Sequence, residues 1–194
     1  MPSAMIHLLV AHDYLPEGDA RFLLGCIAPD YAFEREFKDS IHLRDRSDRL
    51  EALNELRKTV DEKDSFTLGW LLHLFTDLRW DGSHLADYRA AHEQEPGDWF
   101  PGYHDELHAA GYQLYHRYDW AEPENAAILE VDLSTLPETL PVNAESVELF
   151  RTILIEKTRE SEKDIHSDAF PPTLTERFAL ETAAAFCRWM EAGK

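Results

Sequence analysis

The sequence predicts an all-α protein, a single-domain multi-helix bundle over residues 1–194. Three observations carry this. Apolar residues recur at helical spacing in segment after segment. Helix-capping residues stand in front of several of those segments. Strand-like alternation is almost absent: only 127–133, AILEVDL, reads as a short strand.

Residues 4–14 carry Met5, Ile6, Leu8, Leu9 and Val10 and predict a short helix holding His7 and His12. Pro16-Glu17-Gly18-Asp19 is a turn, with Asp19 the N-cap of a nearly all-apolar helix over 20–28. Pro29 stops that helix, so Asp30 sits just past a buried helix end. Residues 31–44 are irregular. Residues 46–61 form an amphipathic helix with Leu50, Leu53, Leu56 and Val60 on one face.

After a polar break, Asp64 or Ser65 caps a strongly apolar helix running to about Trp80, which Gly82 ends or bends. Residues 82–100 are a long loop or short helix closing with Gln94-Glu95-Pro96-Gly97-Asp98-Trp99. A helix from about Tyr103 to Tyr118 follows. The proline-bearing segment 119–142 reads as a long loop with short helical or extended pieces. Asn143 caps a helix to about Glu160, and the capping box Thr173-Leu174-Thr175-Glu176 starts the last, ending near Ala192. The last two helices have apolar faces that complete the core (Val147, Phe150, Ile153, Leu154; Phe178, Leu180, Ala184, Phe186, Trp189).

Hydrophobic content of 44% and aromatic content of 11% fit a packed globule. The net charge of −19 argues against nucleic acid and anionic membrane as partners. No run approaches the roughly 18 apolar residues of a membrane span. The N-terminus lacks the basic start and cleavage site of a signal peptide, so a cytoplasmic protein is expected. Cys26 and Cys187 lie in apolar contexts and read as reduced core residues.

The chemistry concentrates in the first half: nine of the ten histidines fall between His7 and His116. On the central helix His73, Asp77 and Asp81 follow at four-residue intervals, which places them on one stripe. An imidazole and two carboxylates among leucines and tryptophans need a compensating partner, and a divalent metal supplies one. His104 and His108 repeat the spacing on a second helix. With no cysteine cluster, the nitrogen and oxygen ligands suit zinc, with iron, manganese or nickel as alternatives. His92, His116 and His166 read as satisfied structural histidines.

The ordered set His7, then Gly25-Cys-Ile-Ala-Pro-Asp30, then His42, then His73-Leu-Phe-Thr-Asp77, then His104-Asp-Glu-Leu-His108 resembles the zinc-dependent phospholipase C family, with its relatives the S1/P1 nucleases. The resemblance implies a helical fold of that type holding two or three zincs. Asp30, His42, His73 and Asp77 would bind one. His104, His108 and either Asp81 or His84 would bind a second. His7 and the chain's N-terminus would bind a third bridged by Asp77, but a chain without a signal argues against that third ion.

The expected activity is hydrolysis of a phosphate ester through a metal-bound water, with Asp30 helping to hold or deprotonate it. The expected substrate is a small phosphoester. Two rivals stand beside this. One is an HD-type phosphohydrolase, for which His12-Asp13 is the candidate His-Asp dipeptide. The other is a helical domain in which metal is a structural staple.

Overall fold

The computed structural model describes residues 2–94 and 97–192. Among these the chain forms ten α-helices and no strand. The helices are α1 (Ala4–Tyr14), α2 (Ala20–Ile27), α3 (Arg35–Ile41), α4 (Arg49–Thr59), α5 (Ser65–Trp80), α6 (Ala86–His92), α7 (Trp99–Arg117), α8 (Ala121–Leu129), α9 (Ala144–Arg159) and α10 (Pro172–Ala192). None of them is long and apolar enough to cross a membrane.

α1 is apolar all round, and Met5 through Ala11 are all buried. A helix with no polar face has to lie inside, and α1 packs against α2, α5, α7 and α10. α2 and α5 make the closest crossing. A β-carbon added at Gly25 would lie 2.2 Å from the Phe66 carbonyl oxygen, and one at Gly69 would lie 2.2 Å from that of Phe22. The two glycines let the backbones touch, and this crossing fixes the end of α2 against the middle of α5. The Asp19 and Asp64 carboxylates cap these helices, accepting from the Phe22 and Thr67 amides.

The structure defines three short helices in segments that the sequence leaves irregular or open between loop and helix. α3 forms in the segment read as irregular, and α6 in the segment read as loop or short helix. α8 replaces the long loop and takes up the first half of the expected strand AILEVDL. All three are too short for a 3.6-residue pattern to stand out, so periodicity does not resolve them. Pro123 and Pro101 sit in the first turns of α8 and α7, where a missing amide donor costs nothing. α7 therefore starts earlier than predicted, capped by Asp98. Glu95 and Pro96 of the expected loop lie outside the described residues.

Gly82 does not end the central helix. A wide π-turn over Asp81–Leu85 carries it into α6. α10 starts at Pro172, so the predicted cap Thr173 lies inside it. Cys26 is buried as expected, but Cys187 is exposed; it lies next to Phe186, the edge of the buried face of α10. Leu50, Ile153, Ala184 and Leu180 are exposed too, because the helices that carry them present narrower stripes to the core than their apolar residues span.

Candidate metal centre

Five of the predicted side chains converge where α2 ends on α5. α1 supplies His7 and α5 supplies His73 and Asp77. The 3₁₀ turn Ala28–Tyr31 supplies Asp30, and the end of α3 supplies His42. Ligand atoms of His7, Asp30 and His73 lie within 4.8 Å of one another, as do those of His42, His73 and Asp77. His42, His73 and Asp77 have fully buried side chains; that of His7 is 1% exposed and that of Asp30 is 11% exposed.

The orientation of the two central rings decides what they can bind. His73 Nδ1 lies 2.8 Å from the Cys26 carbonyl oxygen, and His42 Nδ1 lies 2.7 Å from that of Lys38. A carbonyl only accepts, so both Nδ1 atoms carry the proton, and each neutral ring presents a bare lone pair at Nε2. These two Nε2 atoms face each other at 3.1 Å. Two lone pairs at that distance repel unless a cation lies between them. Burial, with His7 close by, pushes the His73 pKa down to about 3, so His73 does not supply that cation by taking up a proton.

The carboxylates complete the arrangement. His42 Nε2 is 3.4 Å from Asp30 Oδ1 and 3.6 Å from Asp77 Oδ2. Zinc bonds of about 2.0–2.2 Å in a tetrahedron place ligand atoms about 3.3–3.6 Å apart. Asp30, His42, His73 and Asp77 therefore suit zinc in donor type, and the two carboxylates stand at about that spacing from His42 Nε2. Burial raises both carboxyl pKa values, but the neighbouring groups override it. Lys38 and His42 hold Asp30 well below the usual range, and the His7, His73 and His42 rings hold Asp77 below it. Both are therefore held in the ionised form that a metal ligand needs.

His7 stacks on His73, ring centroids 4.0 Å apart and nearly parallel. Its Nε2 is 3.5 Å from Asp77 Oδ1, and neither atom makes a hydrogen bond, nor does His7 Nδ1. The N-terminal residue expected to join His7 lies outside the described residues.

The turn after α3 aims His42. The amides of Leu43 and Arg44 bond back to the carbonyls of Ser40 and Asp39 at 3.1 and 2.7 Å, a helix-ending motif that usually carries glycine. Here Leu43 adopts the left-handed conformation at φ 56°, a strain of about 1–2 kcal/mol. The turn sends His42 into the cluster and Arg44 alongside it.

Asp81 and His84 are not brought into the cluster. Asp81 receives Arg44 at 2.7 Å and Arg49 at 2.9 Å, and Arg44 also reaches Asp77 at 3.2 Å. His84 packs against Trp80 and Phe178, with ring centroids 4.6 and 5.2 Å apart. His104 and His108 belong to neither triad; they line a cleft that Asp30 also borders. Burial lowers the His104 pKa. His12 stands elsewhere, 3.2 Å from Glu124 and stacked on Trp120, which takes the His-Asp dipeptide of the HD-type reading away from the cluster. His116 bonds to Ser161, His92 to the Tyr88 carbonyl and His166 to Gln113.

Sequence reasoning missed the cations. Lys38 Nζ lies 3.1 Å from Asp30 Oδ1, and Arg44 and Arg49 hold Asp81. A signal was present: five of the nineteen basic residues of this acidic chain fall between Arg35 and Arg49, around His42.

No curated protein and no solved structure matches the chain. A family model described as zinc dependent phospholipase C matches residues 3–150, which contain all five clustered residues and the His104/His108 pair. The chain belongs to the zinc-dependent phospholipase C family.

Proposed function

We propose that the protein is a zinc-dependent phosphoric ester hydrolase acting on a small phosphoester, with Asp30, His42, His73 and Asp77 holding a zinc ion. The carrying observation is the pair of bare Nε2 atoms facing each other at 3.1 Å beside two ionised carboxylates. When bound, zinc supplies a Lewis acid that polarises a phosphoryl oxygen and makes water acidic enough to react near neutral pH.

The chain's own groups do the rest. The Cys26 and Lys38 carbonyls fix the tautomer and plane of His73 and His42. Asp30 alone among the five borders the cleft, so it is the group placed to accept a proton from an incoming water. His104 and His108 on the facing wall are candidate ligands for a second ion. The third ion through His7 rests only on the orphaned His7 nitrogens and Asp77 Oδ1. The charge of −19 disfavours nucleic acid as substrate. Two unpaired thiols, Cys26 and Cys187, support a cytoplasmic location.

A second reading is favoured by the burial of His42, His73 and Asp77: a closed, structural zinc that staples α3 to α5. Metal analysis of the purified protein, with assays of the zinc-loaded form on bis(p-nitrophenyl) phosphate and p-nitrophenyl phosphate, separates the two. Bound zinc with turnover supports the hydrolase. Bound zinc with no turnover on either ester supports the staple, and absence of bound zinc sinks both.

A further inference from the structure

A cleft reaches the cluster at Asp30. Asp30 is the single clustered residue on the wall of a cleft of about 500 Å³, and the others are shut off from it. The charge of that cleft inverts the charge of the chain. The protein has 38 acidic residues against 19 basic. The cleft is lined by one carboxylate, Asp30, and two ammonium groups, Lys38 and Lys157.

The two lysines occupy different depths. Lys38 stands next to the cluster, its Nζ 3.1 Å from Asp30 Oδ1, and its side chain is still 25% exposed. Its backbone is anchored, because its carbonyl accepts from His42. Lys157 is exposed on α9, three and four residues after Leu154 and Ile153, which line the same wall. Lys157 therefore shares a helix face with two residues of the cleft wall. Between them Met5, Leu8, Leu107 and Phe150 give an apolar surface, which weakens dielectric screening of both charges.

Resting on the phosphoester reading above, the geometry points to a charge preference: the cleft takes phosphate esters that carry a further negative charge and rejects those with a cationic substituent. Lys38 contacts the phosphate group beside Asp30. Lys157 faces the substituent and sets the preference. Neither lysine is required for zinc.

The test is calorimetric titration of the zinc-loaded full-length protein with three probes: inorganic phosphate, 3-phosphoglycerate (anionic substituent) and phosphoethanolamine (cationic substituent). Zinc content is measured in every variant. The wild type should bind 3-phosphoglycerate about tenfold tighter than phosphoethanolamine, the scale of one extra screened charge contact. Lys157→Met should bring the two within about twofold and leave inorganic phosphate unchanged. Lys38→Met should weaken all three by about tenfold or more with zinc retained. The preference should shrink as ionic strength rises.

Equal affinity for the two esters, tighter binding of phosphoethanolamine, or no binding of any probe overturns the proposal. Loss of zinc from Lys38→Met also overturns it, by assigning that lysine to holding Asp30. Charge-selective binding without turnover would sink only the hydrolase reading. Turnover without charge selectivity would sink only the preference.

Discussion

Two regions of this molecule bury polar side chains, and they treat them in opposite ways. In one, arginines tie the later helices to the rest. Arg151 is 5% exposed and donates to the Ile128 and Val131 carbonyls and to Glu148. Arg57 is 8% exposed and donates to the Trp189 and Met190 carbonyls and to Glu62. Every nitrogen of both guanidinium groups has a partner. In the other region, around His73, both nitrogens of His7 and Asp77 Oδ1 lack a hydrogen bond, and Asp30 Oδ1 has an ion pair to Lys38 without a hydrogen bond. Buried polar groups that are satisfied hold a fold together, whereas a cluster of buried orphans aimed at one point is incomplete without a ligand.

The largest effects should come from removing a side chain of the incomplete cluster. His73→Ala and Asp77→Ala should each lose zinc and lower turnover by more than the roughly 10–100-fold that loss of an outer partner costs. Zinc quantification and kinetics on a phosphoester check this. Full zinc in both variants would erase the distinction between the two regions.

Next is the pH response of the protein stripped of zinc by a chelator. The His73 pKa falls from 6.5 to about 3 on folding. Its unfolded form therefore takes up a proton first, and stability present above about pH 6.5 is lost progressively as pH falls towards 3. The loss should reach a few kcal/mol at most, since each tenfold difference in proton affinity between the folded and unfolded chain is worth about 1.4 kcal/mol. Urea titration at stepped pH reads it. A flat profile from pH 7 to 4 would show that His73 is not held neutral.

Arg151→Ala tests the satisfied region. It strands the Ile128 and Val131 carbonyls and should cost about 1–3 kcal/mol in denaturant unfolding, with zinc content unchanged. A drop in zinc here would mean that the regions are coupled.

The smallest effect is expected for a histidine outside the cluster. His12→Ala removes one half-buried contact to Glu124 and should cost about 1 kcal/mol or less, leaving zinc and turnover as in the wild type. A loss of zinc would revive the HD-type reading.

Local pattern accounts for much of this architecture. The long helices announce themselves by periodicity and caps, as with Asp19, Asp64 and Asn143, because both signals are carried within a few residues. α3, α6 and α8 escape that reading because their patterns are too short. Exposure departs from expectation at Cys187 and Leu180: composition says that a residue is apolar, but the packing partner decides which part of the helix is covered.

The sequence by itself determined the helical class, nominated His73 and Asp77 by chemistry and spacing, and added His7, Asp30 and His42 through the family resemblance. It left Asp81 and His84 equal candidates beside His104 and His108. Only the tertiary structure decided that Asp81 would carry arginines, that His84 would lie against Trp80 and Phe178, and that two imidazoles from α3 and α5 would face each other through bare nitrogens. The reason is physical. Spacing along one helix fixes which side chains share a face. Which tautomer a ring adopts, and what it meets, depends on carbonyls brought from other segments, here by the glycine-to-glycine crossing of α2 and α5.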